Sequence, residues 1–598
     1  MNARDAGTAA GSGGRPPETP RSSGRSPHLS RRALLAAAGA GAAGAALGWF
    51  PGIRVPAGRA STIPAPPNFP SGISLYQQTY QNWSQQATID DVWTCAPASD
   101  AEVVTLANWA YQNSYTLRAS GFSHNWSPLV LPNGANVDNV VLVNTTDSLT
   151  GITVSTSGSP ATVTAQGGVS MDNLTAAVLN AGYSFCSIPA PGDITIGGVL
   201  AIDGHGTAIP ATGETRETGM SYGSVSNLVQ SLTAVTWNGS AYALQTFQRS
   251  DPAIAPFLVN LGRTFITEVT LEIGKAQNLL CTSTTSIGAS TLFAAPASAG
   301  SNSFASLVNK CGRVESIWFP FTTTPWVKTW TVSPSQPWYA TEVSGPYNYT
   351  FANDISQQES DYIEDIVSGV VSITPTFEDL QIGIVDAGLL TTWTYNLWGP
   401  AKYTQLYVQP TTERVTSGGW ALLTSRASIQ QVVYDFYTQY QSLITSYAGN
   451  GQYPMNGPLE IRVTGLDQPS ESGVSGATTP LLSALTPRPD QPAWNVCVWI
   501  DMLTIPTTPE CNEFYEQMEQ WIFSHYTGSY AAARPEWSKG WAYTSAGPWT
   551  NTTMLTSTIP AAINAGQAGS NFSAASAAFD SYDPYRIFSN TFLDTLLP

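Results

Sequence analysis

Glutamate and arginine stand two apart in Pro458–Gly465, which reads P-L-E-I-R-V-T-G. If Leu459–Val463 is a strand, Glu460 and Arg462 point to one side, because strand side chains alternate with a period of two. A carboxylate beside a guanidinium makes a charge-assisted pair. In a pocket, Glu460 is placed as a general base. Arg462 would stabilise negative charge developing on oxygen. A third candidate, Glu315, lies in the apolar run V-E-S-I-W-F-P. Burial there would raise its pKa and suit it to proton transfer. The structural alternatives are a salt bridge for the pair and an exposed strand position for Glu315.

Beyond residue 60 the histidines are His124, His205 and His525. His124 lies in Leu117–Ser127, L-R-A-S-G-F-S-H-N-W-S, and His205 about 80 residues on, in G-D-I-T-I-G-G-V-L-A-I-D-G-H-G-T, residues 192–207. Loops of small residues let backbone N–H groups approach a phosphate closely. Both loops are therefore read as holding one dinucleotide cofactor, with His124 tied to it. Asp193 reads as a loop-shaping side chain rather than a base. His205 and His525 lack metal-ligand spacing, and no metal site is expected. A Walker loop, a G-x-G-x-x-G in a βαβ setting and a G-x-S-x-G elbow are all absent.

These residues need a scaffold, and the composition describes one. Of 598 residues 42% are hydrophobic and 11% charged, a packable composition rich in strand formers. The net charge is −17, and the first 60 residues carry eight arginines and two acids. Without them 16 basic face 39 acidic residues, which argues against nucleic acid or an anionic membrane as partner. Six cysteines show neither CxxC nor zinc-site spacing, and they read mostly as small buried residues. Ser30–Leu35, S-R-R-A-L-L, followed by an Ala/Gly run to Phe50, resembles a twin-arginine export signal, with maturation near Ala60 and a secreted, periplasmic or cell-surface protein as the result. The alternative is an N-terminal membrane anchor.

Ser99–Glu102 is a capping box that opens a helix carrying Val103, Leu106, Ala107 and Ala110 on one face. Strands are expected at Tyr115–Ala119, Val140–Thr145, Ala161–Ala165, Leu228–Trp237 and Thr264–Ile273, with a helix from Ser170 to Gly182. The fold class is α+β. Seven tryptophans lie between Trp318 and Trp420, as core or as the lining of a pocket for a bulky apolar substrate. A strand at Asn495–Asp501 makes Asp501 a lesser pocket candidate, and Asn512–His525 reads as a helix. The tail from Lys539 to Pro598 should pack back on the first domain.

The pattern resembles the vanillyl-alcohol-oxidase superfamily of FAD oxidases. Its R-x-x-G-x-G-H-S motif is matched by Arg118-Ala119-Ser120-Gly121-Phe122-Ser123-His124-Asn125, with Ser123 for the second glycine and Asn125 for the serine. Gly192-Asp193-Ile194-Thr195-Ile196-Gly197-Gly198 resembles the pyrophosphate segment, and Gly204-His205-Gly206-Thr207 its continuation. Leu261-Gly262 through Phe265-Ile266 resembles the strand edge near the adenine, with Phe265 where glycine is common. Arg534–Lys539 resembles a C-terminal block that has histidine at Glu536 and lysine at Lys539. Within the superfamily S-G-F-S-H-N-W, R-V-E-S-I-W-F-P, P-L-E-I-R-V-T-G and W-S-K-G-W-A are most similar to the covalent-flavin bacterial cholesterol oxidases.

The resemblance implies an FAD-binding domain over 61–275, joined by a return segment at 541–598, and an inserted substrate domain on an antiparallel sheet over 276–540. It implies FAD bonded through its 8α carbon to His124, with Lys539 at the N1–C2=O side of the ring. Arg462 would also gate oxygen. Sterol and O2 would be the substrates, H2O2 and a 4-en-3-one the products, with transient membrane contact to extract sterol. The alternatives are an oxidase of polyols, sugars or lactones and a non-catalytic flavin- or sterol-binding surface protein. Oligomeric state is left open.

Overall fold

The computed structural model describes residues 63–349, 356–406, 408 and 414–598. The twin-arginine segment, the apolar run to Phe50 and the position near Ala60 lie outside the described residues.

Three sheets carry the chain. The first has strand order β1-β2-β4-β3, from Ser74–Gln81 (β1), Thr88–Ala96 (β2), Thr116–Ser120 (β3) and Val140–Asn144 (β4). β2 and β3 both run parallel to β4, so helix α1 (Asp100–Asn113) must cross over between them. Its start is capped as expected by Ser99, whose hydroxyl accepts from the Glu102 N–H. Glu102 reaches back one residue further than a capping box requires, to the Ala98 N–H at 2.7 Å. Val103, Leu106, Ala107 and Ala110 are all buried in one cluster.

The second sheet is antiparallel, with order β5-β6-β10-β8-β9 from Ile152–Ser155 (β5), Ala161–Gln166 (β6), Val229–Trp237 (β8), Tyr242–Gln248 (β9) and Phe265–Lys275 (β10). The short strand Tyr183–Ser184 (β7) pairs with β10. Helix α2 (Met171–Asn180) starts at its Ser170 cap, buries Leu174 and Val178, and ends before Gly182 at φ 83°. Helix α3 (Ile196–Ala201) follows in the glycine-rich loop.

The third sheet has nine strands in the order β14-β15-β11-β13-β12-β17-β18-β16-β19. They are Asn278–Thr284 (β11), Arg313–Trp318 (β12), Trp326–Val332 (β13), Thr341–Glu342 (β14), Asn396–Pro400 (β15), Thr416–Thr424 (β16), Leu459–Gly465 (β17), Val496–Thr504 (β18) and Ala531–Pro535 (β19). Every neighbouring pair is antiparallel except β14 with β15. On one face Val314, Trp318, Ile461, Val463, Val498 and Ile500 pack with helices α4 (Phe304–Cys311), α6 (Ile429–Gly449) and α7 (Cys511–His525). Helix α5 (Thr374–Thr392) lies between β14 and β15 in the chain. The alternate residues Glu315, Ile317, Glu460, Arg462, Trp499 and Asp501 must then share the opposite face. A one-residue slip of register would exchange the two sets.

The tail closes on the first two sheets. Phe572 and Phe579, both in helix α8 (Asn571–Tyr582), pack with Val259 and Leu261. Arg263 pairs with Asp580 at 3.0 Å and Asp583 at 2.5 Å, and Arg118 donates to the Phe588 carbonyl. All six cysteines are buried and unbridged.

A buried carboxyl pair links the glycine-rich loop to the third sheet. The Ser483 hydroxyl lies 2.9 Å from Asp203 and 2.7 Å from Asp467, which follows β17. Burial, then the charge of Asp467, push Asp203 from 3.8 to about 8. The fold therefore disfavours the ionised form, and stability that is complete below pH 3.8 drains away as pH rises through about 8. Relative to Asp203→Asn, wild-type protein is expected to lose roughly 1 kcal/mol of stability per pH unit across that window. Parallel stability curves for the two proteins, followed by thermal melting, would contradict this.

Candidate functional site

A cavity of about 360 Å³ opens over the free face of the third sheet, within the range of small-molecule sites. Glu315, Ile317, Glu460 and Arg462 form its floor. Trp326, Trp330 and Tyr349 form an apolar wall, extended by Phe377, Ile384 and Val385 of α5. Trp83, His124, Trp126 and the 204–207 loop stand at the other side, with Glu536, Ser538 and Lys539. The tryptophan-rich stretch thus divides. Trp326 and Trp330 line the cavity, Trp318 and Trp420 are core, and Trp338 and Trp393 are 95% and 79% exposed.

The floor is organised by one guanidinium. Arg462 Nη1 lies 2.8 Å from Glu460 and 3.2 Å from Glu315, while Nη2 donates to Asp501. Sheet register explains the arrangement: Glu315 is opposite Arg462 across β12/β17, and Asp501 is opposite Glu460 across β17/β18. The side chains of Glu460 and Arg462 are 17% and 14% exposed, those of Glu315 and Asp501 2% and 0%. Glu460 is thus the carboxylate open to the cavity. Burial raises its pKa, Arg462 pulls it down and Glu315 pushes it up, with a net rise. Glu315 is buried as expected, but its carboxylate is turned to Arg462. Asp501, ranked behind the other two by sequence, is a full member of the cluster.

Lys539 is held 4.0 Å from Asp501, with its ammonium 4.1 Å above the Trp126 ring. Burial lowers its pKa, against the opposing pull of Glu536 and other carboxylates. His205 stacks on Trp499 at 3.7 Å and puts Nε2 3.5 Å from Glu536. Burial pushes Glu536 up, but the hydrogen bond and charge of His205, with Lys539 and Arg462, outweigh it and hold the carboxyl at about 2. Where the resemblance has a histidine in the C-terminal block, this chain brings one from the glycine-rich loop to a glutamate.

The two small-residue loops touch. A Cβ on Gly121 would meet Thr195 Cγ2 at 2.7 Å; within the second loop, one on Gly206 would meet the carbonyl of Ile188, just before that loop, at 2.5 Å. Ser123 has φ 56°, the left-handed region, so this serine holds the conformation for which glycine is favoured. The backbone N–H groups of residues 121–125 find no acceptor among the described residues. Ser120 is buried next to them, Phe122 is 45% exposed, and Asn125 donates to the Ser127 carbonyl. Trp83 lies against His124 with ring centroids 5.0 Å apart and planes 20° apart. His124 Nδ1 lies 3.6 Å from Asp193 Oδ1.

The second loop departs from expectation. The N–H groups of Ile196, Gly197 and Gly198 already donate to Val169 O, Gly167 O and Thr195 Oγ1. Those residues cap and seat α3, and the glycines there allow close packing. Ile266 buries its side chain in the core of the second sheet. Gly192 uses its carbonyl on the Asp172 N–H, and Gly204 packs on Val199. Asp193 does more than shape the loop, since it faces His124.

These groups fit FAD. The N–H groups of 121–125 and the His124 Nδ1, without hydrogen-bond partners among the described residues, suit a pyrophosphate and an attachment point, and Lys539 suits the pyrimidine end of the ring. Sequence reasoning missed Trp83, about 40 residues upstream of His124, and the His205–Glu536 pairing. Neither leaves a periodic signal.

Two family profiles match the chain: one described as cholesterol oxidase, substrate-binding, over residues 278–598, and an FAD binding domain over 93–245. A solved structure titled solvent-stable cholesterol oxidase is 50% identical, with a TM-score of 0.88 over 90% of this chain and 100% of that one. Cholesterol oxidase from Brevibacterium sterolicum is 44% identical, with a TM-score of 0.88 over 90% of this chain and 100% of that one. A histidine-to-alanine mutant from the same organism matches equally, over 99% of its chain. No curated protein matches.

A left-handed non-glycine residue costs about 1–2 kcal/mol. Ser123→Gly should therefore stabilise the protein by about 1 kcal/mol in denaturant titration, and a destabilised variant would show that the serine side chain holds the loop.

Proposed function

This chain belongs to the FAD-dependent cholesterol oxidases of the vanillyl-alcohol-oxidase type, and we propose that its cavity sets the 3β-hydroxyl of a sterol against Glu460 and Arg462. The observation that carries this reading is the Arg462 cluster at the floor of an apolar cavity, facing His124. A polyol or sugar would need more hydrogen-bonding wall than Trp326, Trp330, Phe377 and Val385 supply. A non-catalytic binder would have no use for an open, raised carboxylate.

Bound FAD supplies the hydride acceptor, and the protein supplies position and electrostatics. Glu460 takes the hydroxyl proton. Arg462 stabilises the oxygen as negative charge grows on it. The proton on Glu460 passes on to the O2 that becomes H2O2, and the carboxylate, ionised again, moves a proton from C4 to C6, converting the 5-en-3-one to the conjugated 4-en-3-one. Glu315 and Asp501 hold the guanidinium in place. The N–H groups of residues 121–125 hold the pyrophosphate, Lys539 the pyrimidine edge, and His124 is the covalent attachment. O2 is the second substrate and H2O2 the second product.

We place the protein outside the cytoplasmic membrane, on the strength of Ser30–Phe50 alone. Sterol is met there in lipid surfaces. Trp338, Tyr339 and Trp393 are exposed, Thr341 donates to the Trp393 carbonyl, and Trp393 ends the helix that lines the cavity. Uncharged aromatics suit contact of an acidic protein with a neutral lipid surface.

Glu460→Gln should lower kcat by roughly 100-fold or more. Because the Glu460 pKa is raised, the acid limb of wild-type kcat/KM should lie above the ordinary glutamate value of 4.5 and vanish in the variant. Undiminished turnover removes Glu460 from the mechanism. Replacing Trp338 and Trp393 together by alanine should slow oxidation of cholesterol in neutral vesicles several-fold while sparing detergent-dispersed cholesterol. Equal loss in both assays contradicts the surface contact.

A further inference from the structure

We propose that Asp193 is the proton acceptor and positioning partner of His124 during covalent attachment of FAD, an inference that rests on the reading of His124 as the attachment residue. His124 Nδ1 and Asp193 Oδ1 face each other at 3.6 Å, and neither atom has another hydrogen-bond partner among the described residues. The His124 side chain is 5% exposed. Its ring is confined between the near-parallel Trp83 and the edge of Trp126, centroids 6.1 Å apart at 72°. A small rotation closes the gap to hydrogen-bond distance, and Asp193 is the polar group it would meet.

Asp193 is held in place from both sides. The Gly192 carbonyl accepts from the Asp172 N–H at 3.0 Å, and the Ile194 carbonyl accepts from the Met171 N–H at 2.8 Å. Both donors open helix α2, so the first turn of that helix fixes the backbone on either side of the carboxylate. The first small-residue loop supplies the imidazole, the second its carboxylate, and the contact of Gly121 with Thr195 keeps the loops together.

Attachment joins a ring nitrogen to the flavin 8α carbon. One N–H bond and one C–H bond break, and one N–C bond forms. The two electrons left on the flavin pass with two protons to O2, giving H2O2, so the oxidant is the enzyme's own substrate. The proton on Nδ1, the nitrogen that makes the bond, has to leave it. The Asp193 carboxylate accepts that proton and holds the ring in the orientation for attack. An amide of the same shape can do neither.

The test is the fraction of flavin that stays with acid-precipitated protein, checked by fluorescence of the denatured band and by intact mass. Wild-type protein is expected to retain its flavin. Asp193→Asn should carry FAD in the native state yet retain at least tenfold less after denaturation, with an unchanged melting profile when both proteins are compared without flavin. Asp193→Glu should recover a measurable covalent fraction. Asp193→Asn that retains flavin as fully as wild type overturns the role of Asp193 and leaves the attachment reading intact. If Asp193→Asn holds no FAD, the glutamate variant decides: covalent flavin there supports the proposal and its absence overturns it. Release of flavin from the wild type defeats the attachment reading, and this proposal with it.

Discussion

Arg462 shares its guanidinium among Glu460, Glu315 and Asp501, which lie on three adjacent strands. Taking such charges out of water is unfavourable unless each finds a well-placed partner. Removing one member of a buried pair costs about 3–5 kcal/mol, because the survivor is left uncompensated. The cluster therefore demands that β12, β17 and β18 hold one register. Helices α4, α6 and α7 enforce it from the opposite face, where Val314, Ile461, Val463 and Ile500 are buried. The apolar core and the polar floor are two sides of the same alternation.

Around that floor the chain brings in pieces from distant sequence. The 204–207 loop lays His205 on Trp499, a residue of β18. The segment after β19 returns Glu536 to His205 and Lys539 to Asp501. Glu536 stays low, at about 2, because cations around it outweigh its burial, whereas Glu460 rises because burial, with the charge of Glu315, outweighs Arg462 and Lys539. Two carboxylates in one cavity are thus set apart, one fixed as an anion and one suited to exchanging a proton. The Asp203–Asp467 pair ties the same loop to the end of β17.

Much of the site was legible where chemistry lies along the chain. Glu460 and Arg462 share a face by strand alternation, and His124 and His205 were marked by their small-residue loops. What was not legible depends on register and contact. Asp501 gains its place because β18 sets it opposite Glu460, about 40 residues away in sequence. Asp193 faces His124 because α2 pins the residues beside it. Ile196, Gly197 and Gly198 matched a phosphate-binding pattern, yet their N–H groups are taken by Val169, Gly167 and Thr195. Residue type alone could not sort the tryptophans, since Trp326, Trp420 and Trp393 fall in cavity, core and solvent. Ser123, a departure from the family motif, takes the left-handed backbone that the motif's glycine would supply.

The central claim is that the Arg462 cluster receives the sterol hydroxyl, with the ring system against the tryptophan wall and the reacting carbon toward the flavin. The most direct measurement is a crystal structure of the flavin-containing enzyme soaked without oxygen in a slowly reacting 3β-hydroxysteroid. The hydroxyl should lie within hydrogen-bond distance of Glu460 and Arg462, with the steroid rings packed along Trp326 and Trp330. A steroid bound with its hydroxyl turned away from that carboxylate, or seated outside the cavity, would contradict the account.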